Sequence, residues 1–75
     1  MRFQDGRMYK GTVVWMDSRK GFGFIKPDKG DKDIFCYWSD IVMEGFKVVY
    51  KNQRVEYEIG KAANGKPKAI QIKVL

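Results

Sequence analysis

Hydrophobic and polar positions along this chain repeat every two residues rather than every three or four. Residues 53–59, QRVEYEI, alternate strictly, with Val55, Tyr57 and Ile59 on one side and Arg54, Glu56 and Glu58 on the other. That period is the signature of a strand with one buried face. The terminal AIQIKVL alternates again through Ile70, Ile72 and Val74. Upstream, GTVVWMD at 11–17 is rich in β-branched and aromatic residues and is followed by turn chemistry at 18–21. A second strand at 21–26 is stopped by Pro27, which removes a ladder donor and opens the loop PDKGDKD. A third covers 33–38. GKAANGKPK is a connection centred on the turn pair Asn64-Gly65. In SDIVMEGFKVVYKN, 39–52, Gly45 interrupts any helix, which predicts a long loop holding one short helical turn. Five short strands without a long helix predict an all-β fold, a small five-stranded antiparallel barrel that closes to remove its exposed edges.

Strand parity then sorts the segment KGFGFIKPDKGDKDIFCYW, residues 20–38. Successive side chains point to opposite faces, so Phe22 and Phe24 share one face while Gly21, Gly23 and Ile25 share the other. Phe35 and Tyr37 likewise oppose Ile34 and Cys36. The compact set Ile25, Ile34 and Cys36, joined by Val55, Tyr57, Ile59, Ile70 and Ile72, forms a predicted core. Phe22, Phe24, Phe35 and Tyr37 are left facing outward, and Gly23 lets a neighbouring strand approach closely between two rings. The inverse assignment would put Ile25, Ile34 and Cys36 in solvent and crowd four rings into a narrow barrel. An outward aromatic patch of this size marks an interaction site.

Charge narrows the partner. Seventy-five residues make one domain, and 15 Lys and Arg against 9 Asp and Glu give a net charge of +6, which favours a nucleic acid or a membrane surface. Lys20, Lys26, Lys29, Lys32, Lys47, Lys66 and Lys68 are interleaved with or flank the rings. Single-stranded nucleic acid requires that arrangement, because unpaired bases stack on rings at roughly 1–3 kcal/mol each while lysines neutralise phosphates. A membrane would require no particular strand spacing. The single cysteine, Cys36, and the absence of histidine leave no internal disulfide, no zinc spacing and no base to activate a thiol. The acids of DKGDKD lack the twelve-residue calcium pattern. No enzymatic activity, metal, cofactor or small-molecule substrate is expected. No apolar run approaches the roughly 20 residues of a membrane span, and MRFQDGRMYK lacks a signal-peptide stretch, so a soluble, cytoplasmic protein is expected.

The linked motifs resemble a known family. KGFGFI at 20–25 looks like the first ribonucleoprotein motif of cold-shock domains and DIFCYWS at 33–39 like the second, with GTVVWMDS upstream and EGFK at 44–47 downstream in matching order. The resemblance is to bacterial-type cold shock proteins. It covers 10–75 and leaves 1–9 as an N-terminal extension. It implies an OB-fold barrel that binds single-stranded RNA or DNA and acts as an RNA chaperone or antiterminator-like factor of low sequence specificity. Carried over, the family's stacking positions fall on Trp15, Phe22, Phe24, Phe35, Tyr37, Trp38 and Phe46, and its motif lysine on Lys20. Lys47, Lys66 and Lys68 are the further phosphate candidates.

Departures from the family pattern are Met16 and Trp38 where phenylalanine is usual, Tyr37 for histidine and Asp17 for asparagine, while Thr12 and Val14 stand where bacterial relatives often carry lysine. Met16 is expected to weaken one base site, Tyr37 and Trp38 to enlarge another, and Asp17 to alter a contact to a base or to the adjoining turn. Two functional readings remain open: a single-strand binder, and a protein-interaction module docking through the same apolar face. A monomer is expected, with exchange of strands through loop 39–52 the route to a dimer.

Overall fold

The computed structural model describes residues 7–43 and 49–75. Five strands, β1 (Tyr9–Asp17), β2 (Phe22–Pro27), β3 (Ile34–Tyr37), β4 (Arg54–Lys61) and β5 (Pro67–Val74), follow one another with a 3₁₀ turn at Trp38–Asp40. They close into a barrel in the order β1-β2-β3-β5-β4. The predicted five-stranded closed barrel is therefore present. Its closing seam is, among the described residues, the one parallel pairing: β3 meets β5 through Phe35 with Lys68 and Cys36 with Ala69, extended by a bridge from Ile41 to Ile72. The short helical turn expected in 39–52 begins one residue earlier, at Trp38, and runs to Asp40, residues 44–48 lying outside the described residues; β1 begins at Tyr9, one residue inside the proposed extension.

β1 serves both halves of the barrel. Its residues Tyr9–Thr12 pair with β4, while Gly11–Asp17 pair with β2. Within the stretch paired with β2 the ladder slips, from Val13 opposite Ile25 to Trp15 opposite Phe24, so Val14 is an extra residue in a β-bulge. The chain approaching β4 holds this bulge. Val13 donates its N–H to the Gln53 carbonyl at 2.9 Å and accepts from Asn52 N–H at 2.7 Å, Asn52 having a left-handed φ of 77°. The loop before Asn52 is tied in turn, since Tyr50 N–H reaches Gln53 Oε1 at 2.6 Å.

The core consists of Val13, Ile25, Ile34, Cys36, Ile41, Val49, Val55, Tyr57, Ala69 and Ile72. Each fully buried aliphatic side chain contributes about 1.5–3 kcal/mol. Two predicted members need correction. Ile59 is half-buried and packs against the cluster from its edge, and Ile70 is half-buried while Ala69 takes the inward place. The reason lies in a second slip, between Glu56 and Glu58 on β4, together with a left-handed Gln71 at φ 51° on β5. Ala69 and Ile72, three residues apart, both point inward as a result. Ile70 lies across Gly60 instead, where a Cβ would stand 2.9 Å from its Cδ1. Val13, Ile41 and Val49 join the core without having been anticipated.

At one end of the barrel Tyr9 stacks on buried Tyr57 with ring centroids 6.0 Å apart. Desolvation raises the Tyr57 hydroxyl pKa, and the negative charge of Asp28 adds to it. Asp28 makes a two-pronged pair with Arg54, both bonds at 2.6 Å, and Arg54 also donates to Thr12 Oγ1 at 3.0 Å. This clamp fastens the β2–β3 loop to β1 and β4. Its side chains are nearly half exposed, so its contribution is small and screened by salt.

Gly23 shows how tightly β1 crosses β2. A Cβ there would strike the Trp15 carbonyl oxygen and come within 2.8 Å of Met16 Sδ and 2.9 Å of Met16 Cα. Gly23→Ala should therefore destabilise the fold by about 1–3 kcal/mol in denaturant titration; a loss under about 0.5 kcal/mol would mean that β1 can move away at little cost. The clamp predicts a pH effect. The hydrogen bond from Arg54 holds Asp28 below its ordinary value of 3.8. A depressed carboxylate stabilises the fold above its unfolded-state value, and that contribution is lost as pH falls through the folded-state value. Asp28→Asn should melt slightly below the wild type at neutral pH, and the gap should close as pH drops below 3.8.

Candidate nucleic-acid interface

The site begins at the turn between β1 and β2. Asp17 accepts the backbone N–H groups of Arg19 and Lys20 on Oδ1, both at 3.0 Å, and its carbonyl accepts Gly21 N–H at 2.7 Å. Asp17 thus keeps the turn, answering the doubt its charge raised there. Gly21, at φ 81°, completes the reversal and lies under the Trp38 indole, where a Cβ would come within 2.5 Å of Cδ1. The Trp38 backbone N–H donates to the Gly21 carbonyl at 2.8 Å. That bond and the missing side chain together draw the ring over the turn.

Trp15, Phe22, Phe24 and Phe35 form one connected ring surface on the outer face. Centroid separations are 5.2 Å for Trp15–Phe22, 6.0 Å for Trp15–Phe24, 5.8 Å for Phe22–Phe35 and 6.0 Å for Phe24–Phe35. Cross-strand register aligns them: Trp15 faces Phe24, Phe24 faces Phe35, and Phe22 faces Tyr37. The three phenylalanines are half-buried because they cover one another, whereas Trp15 remains 44% exposed. Such edge-to-face and offset pairs contribute about 0.5–1.5 kcal/mol each, which holds the surface in shape without a ligand. Tyr37 and Trp38, both exposed and 6.0 Å apart, extend it past the end of β3.

Parity along β2 and β3 reads these faces correctly, since Ile25, Ile34 and Cys36 are all inside. Parity along β1 does not, because Val13 is buried and Trp15 would follow it inward without the bulge. The same slip turns Met16 toward the core, against which it packs beneath Gly23. Met16 is therefore an inner neighbour of the platform rather than a weakened base site on it.

The basic residues divide into distinct environments. Lys20 is exposed at the β1–β2 turn, and Lys66 is exposed at the mouth of a cleft of about 380 Å³ lined by Phe24, Asp33, Phe35, Asn64 and Pro67. Asn64 Oδ1 holds the Lys66 backbone N–H at 3.0 Å, shaping that loop. Lys68 sits beside Phe35 in register, but its ammonium lies 3.0 Å from Asp40 Oδ2. Phe46 and Lys47 lie outside the described residues. Asp33, Asp40 and Asn64 were not among the predicted site residues; the sequence carries no signal that residue 40 meets residue 68 across the parallel seam. Cys36 is fully buried, and burial, opposed by a hydrogen bond with the Gly23 backbone, pushes its thiol up to about 11. It is a protonated core residue, as inward parity required.

Known proteins place this geometry. A family model described as the 'Cold-shock' DNA-binding domain matches residues 9–75. The chain is 50% identical over 58 residues to a cold shock protein of Arthrobacter globiformis, an alignment covering 77% of this chain and 87% of that one. It is 48% identical over 66 residues to a cold shock-like protein of Thermotoga maritima, covering 88% and 97% respectively. Among solved structures, Drosophila Unr CSD456 superposes with a TM-score of 0.77 at 21% identity, over 95% of this chain and 28% of that one. That likeness establishes the five-stranded OB-type barrel. Domains of this family bind nucleic acid and are not enzymes. From the match across β1 to β5 and the relatives it shares, this chain belongs to the cold-shock domain family.

Proposed function

We propose that this protein binds single-stranded RNA or DNA by stacking successive bases on the Trp15–Phe22–Phe24–Phe35 surface and its Tyr37–Trp38 extension. One observation carries the reading: four rings from three adjacent strands share an outward face in mutual contact, and exposed lysines stand at its edges. Only an unpaired base offers its face to a ring, so affinity is restricted to single strands and tolerant of sequence. Lys20 and Lys66 supply phosphate contacts. Among the described residues, neither ammonium is engaged in an ion pair.

Binding the open form of an RNA shifts its folding equilibrium toward that form without an energy source, which is chaperone and antiterminator-like behaviour. A monomer in the cytoplasm suffices for this role. The same platform serves RNA and DNA alike, because stacking is blind to the 2′-hydroxyl.

Oligothymidine or oligouridine titration should quench Trp15 and Trp38 fluorescence. Phe22→Ala with Phe24→Ala should weaken binding by about 30-fold or more, two stacked bases at roughly 1–3 kcal/mol each, while a cooperative melt is kept. If that variant unfolds from the loss of ring packing, Phe24→Ala alone carries the test, with binding weakened about 5-fold or more for one stacked base at roughly 1–3 kcal/mol. If it folds and binds as before, the platform is not the binding surface, and self-association of the wild type would point to the protein-docking alternative. The logarithm of affinity should fall against the logarithm of salt concentration with a slope near 0.7 per phosphate neutralised, and an affinity constant from low to moderate salt would exclude the lysine contacts.

A further inference from the structure

Lys68 and Asp40 form a charge pair at the seam that closes the barrel, on the border of the ring surface. Lys68 lies opposite Phe35 in the parallel register of β3 and β5, so it shares Phe35's outward face. Asp40 ends the 3₁₀ turn that begins with Trp38. The two side chains are 25% and 20% exposed, with Lys68 Nζ 3.0 Å from Asp40 Oδ2. That carboxylate oxygen is shut off from solvent and has no aligned hydrogen-bond donor among the described residues. The ammonium is its compensation as an ion pair. By contrast, Lys20 and Lys66 are exposed residues.

Resting on the single-strand reading above, we propose that Asp40 is an affinity-limiting residue of the interface: its carboxylate occupies the place of a phosphate on Lys68 and withholds that lysine from the nucleic-acid backbone. The physical reason is an exchange without gain. To reach a phosphate, Lys68 must abandon an oxygen that water cannot reach, and breaking one side of a shielded pair leaves an uncompensated charge behind. While Lys68 stays on Asp40 it neutralises no phosphate, the counterion condensed at that phosphate stays on the strand, and the salt dependence does not register the lysine. Lys20 and Lys66 face no such competition. Asp40 therefore sets how many of the basic residues beside the rings act on the strand, and a neutral group at position 40 converts Lys68 into a phosphate contact.

The test is oligothymidine binding followed by tryptophan quenching over a series of sodium chloride concentrations. Asp40→Asn should bind several-fold tighter at low salt and steepen the log–log slope by about 0.7, one phosphate on a single strand. Lys68→Gln should leave the slope at the wild-type value, and the double variant should also return to it. A Lys68→Gln slope shallower by about 0.7 would overturn the proposal, because Lys68 would already be neutralising a phosphate. An unchanged slope in folded Asp40→Asn would overturn it as well, because the freed lysine would not reach the strand. Should Asp40→Asn fail to fold, Asp40→Ser takes its place, a slope steeper by about 0.7 supporting the proposal and an unchanged slope removing it. A purely structural pair would alter melting temperature and leave all slopes alike. Failure of the stacking reading is distinguishable, since the wild type itself would then show no quenching.

Discussion

The β-bulge at Val14 is the constraint on which the binding face depends. One extra residue in β1 reverses the parity of the strand, so that Val13 enters the core and Trp15, two positions on, leaves it. The bulge is held from outside β1, by the two backbone hydrogen bonds that Val13 makes to Asn52 and Gln53. Unpaired, those groups would cost on the order of 1–3 kcal/mol each inside the barrel. The left-handed turn at Asn52 is therefore part of the machinery that presents Trp15, although it lies far from the rings in sequence. Met16 turns inward by the same step and packs against the core next to Gly23. The platform and the core beneath it are two faces of one register choice.

Glycine allows this close crossing at two places for different reasons. At Gly23 the requirement is room, because the β1 backbone and Met16 occupy the position of a side chain. At Gly21 it is room and conformation together, a left-handed turn roofed by the Trp38 indole. Both lie in the KGFGF stretch, so the alternation of glycine and phenylalanine is a packing device: glycines where β1 or the Trp38 ring presses on the backbone, phenylalanine rings outward where no strand covers them. The rings then brace one another, which keeps a hydrophobic face ordered in the absence of a ligand.

Electrostatics divides the same surface. A net charge of +6 gives the molecule long-range attraction for an anionic strand. Contact is more selective, because Arg54 is tied to Asp28 and Lys68 to Asp40. The first pair fastens a loop and the second a seam. Counting basic residues overstates the number whose charge is unpaired, and the difference is set by acids that face them across strands.

Much of this was legible in the sequence. Strand number, turn positions and the inward assignment of Ile25, Ile34, Cys36, Val55, Tyr57 and Ile72 follow from alternation, because a half-buried strand must place every second residue in the core. The outward rings of β2 and β3 follow from the same rule. Alternation failed at Ile70, where the ladder slips and Ala69 went inward instead, and it did not by itself fix Trp15 and Met16, which follow the other slip. A bulge leaves no local mark in composition, since its hydrogen bonds are made to residues distant in the chain. The pairing of Lys68 with Asp40 likewise arises only when the parallel seam closes. The sequence by itself determined which residues alternate and hence the two faces of each regular strand. The tertiary structure alone decided where alternation breaks and which charges meet, because both depend on contacts between strands that the chain order does not specify.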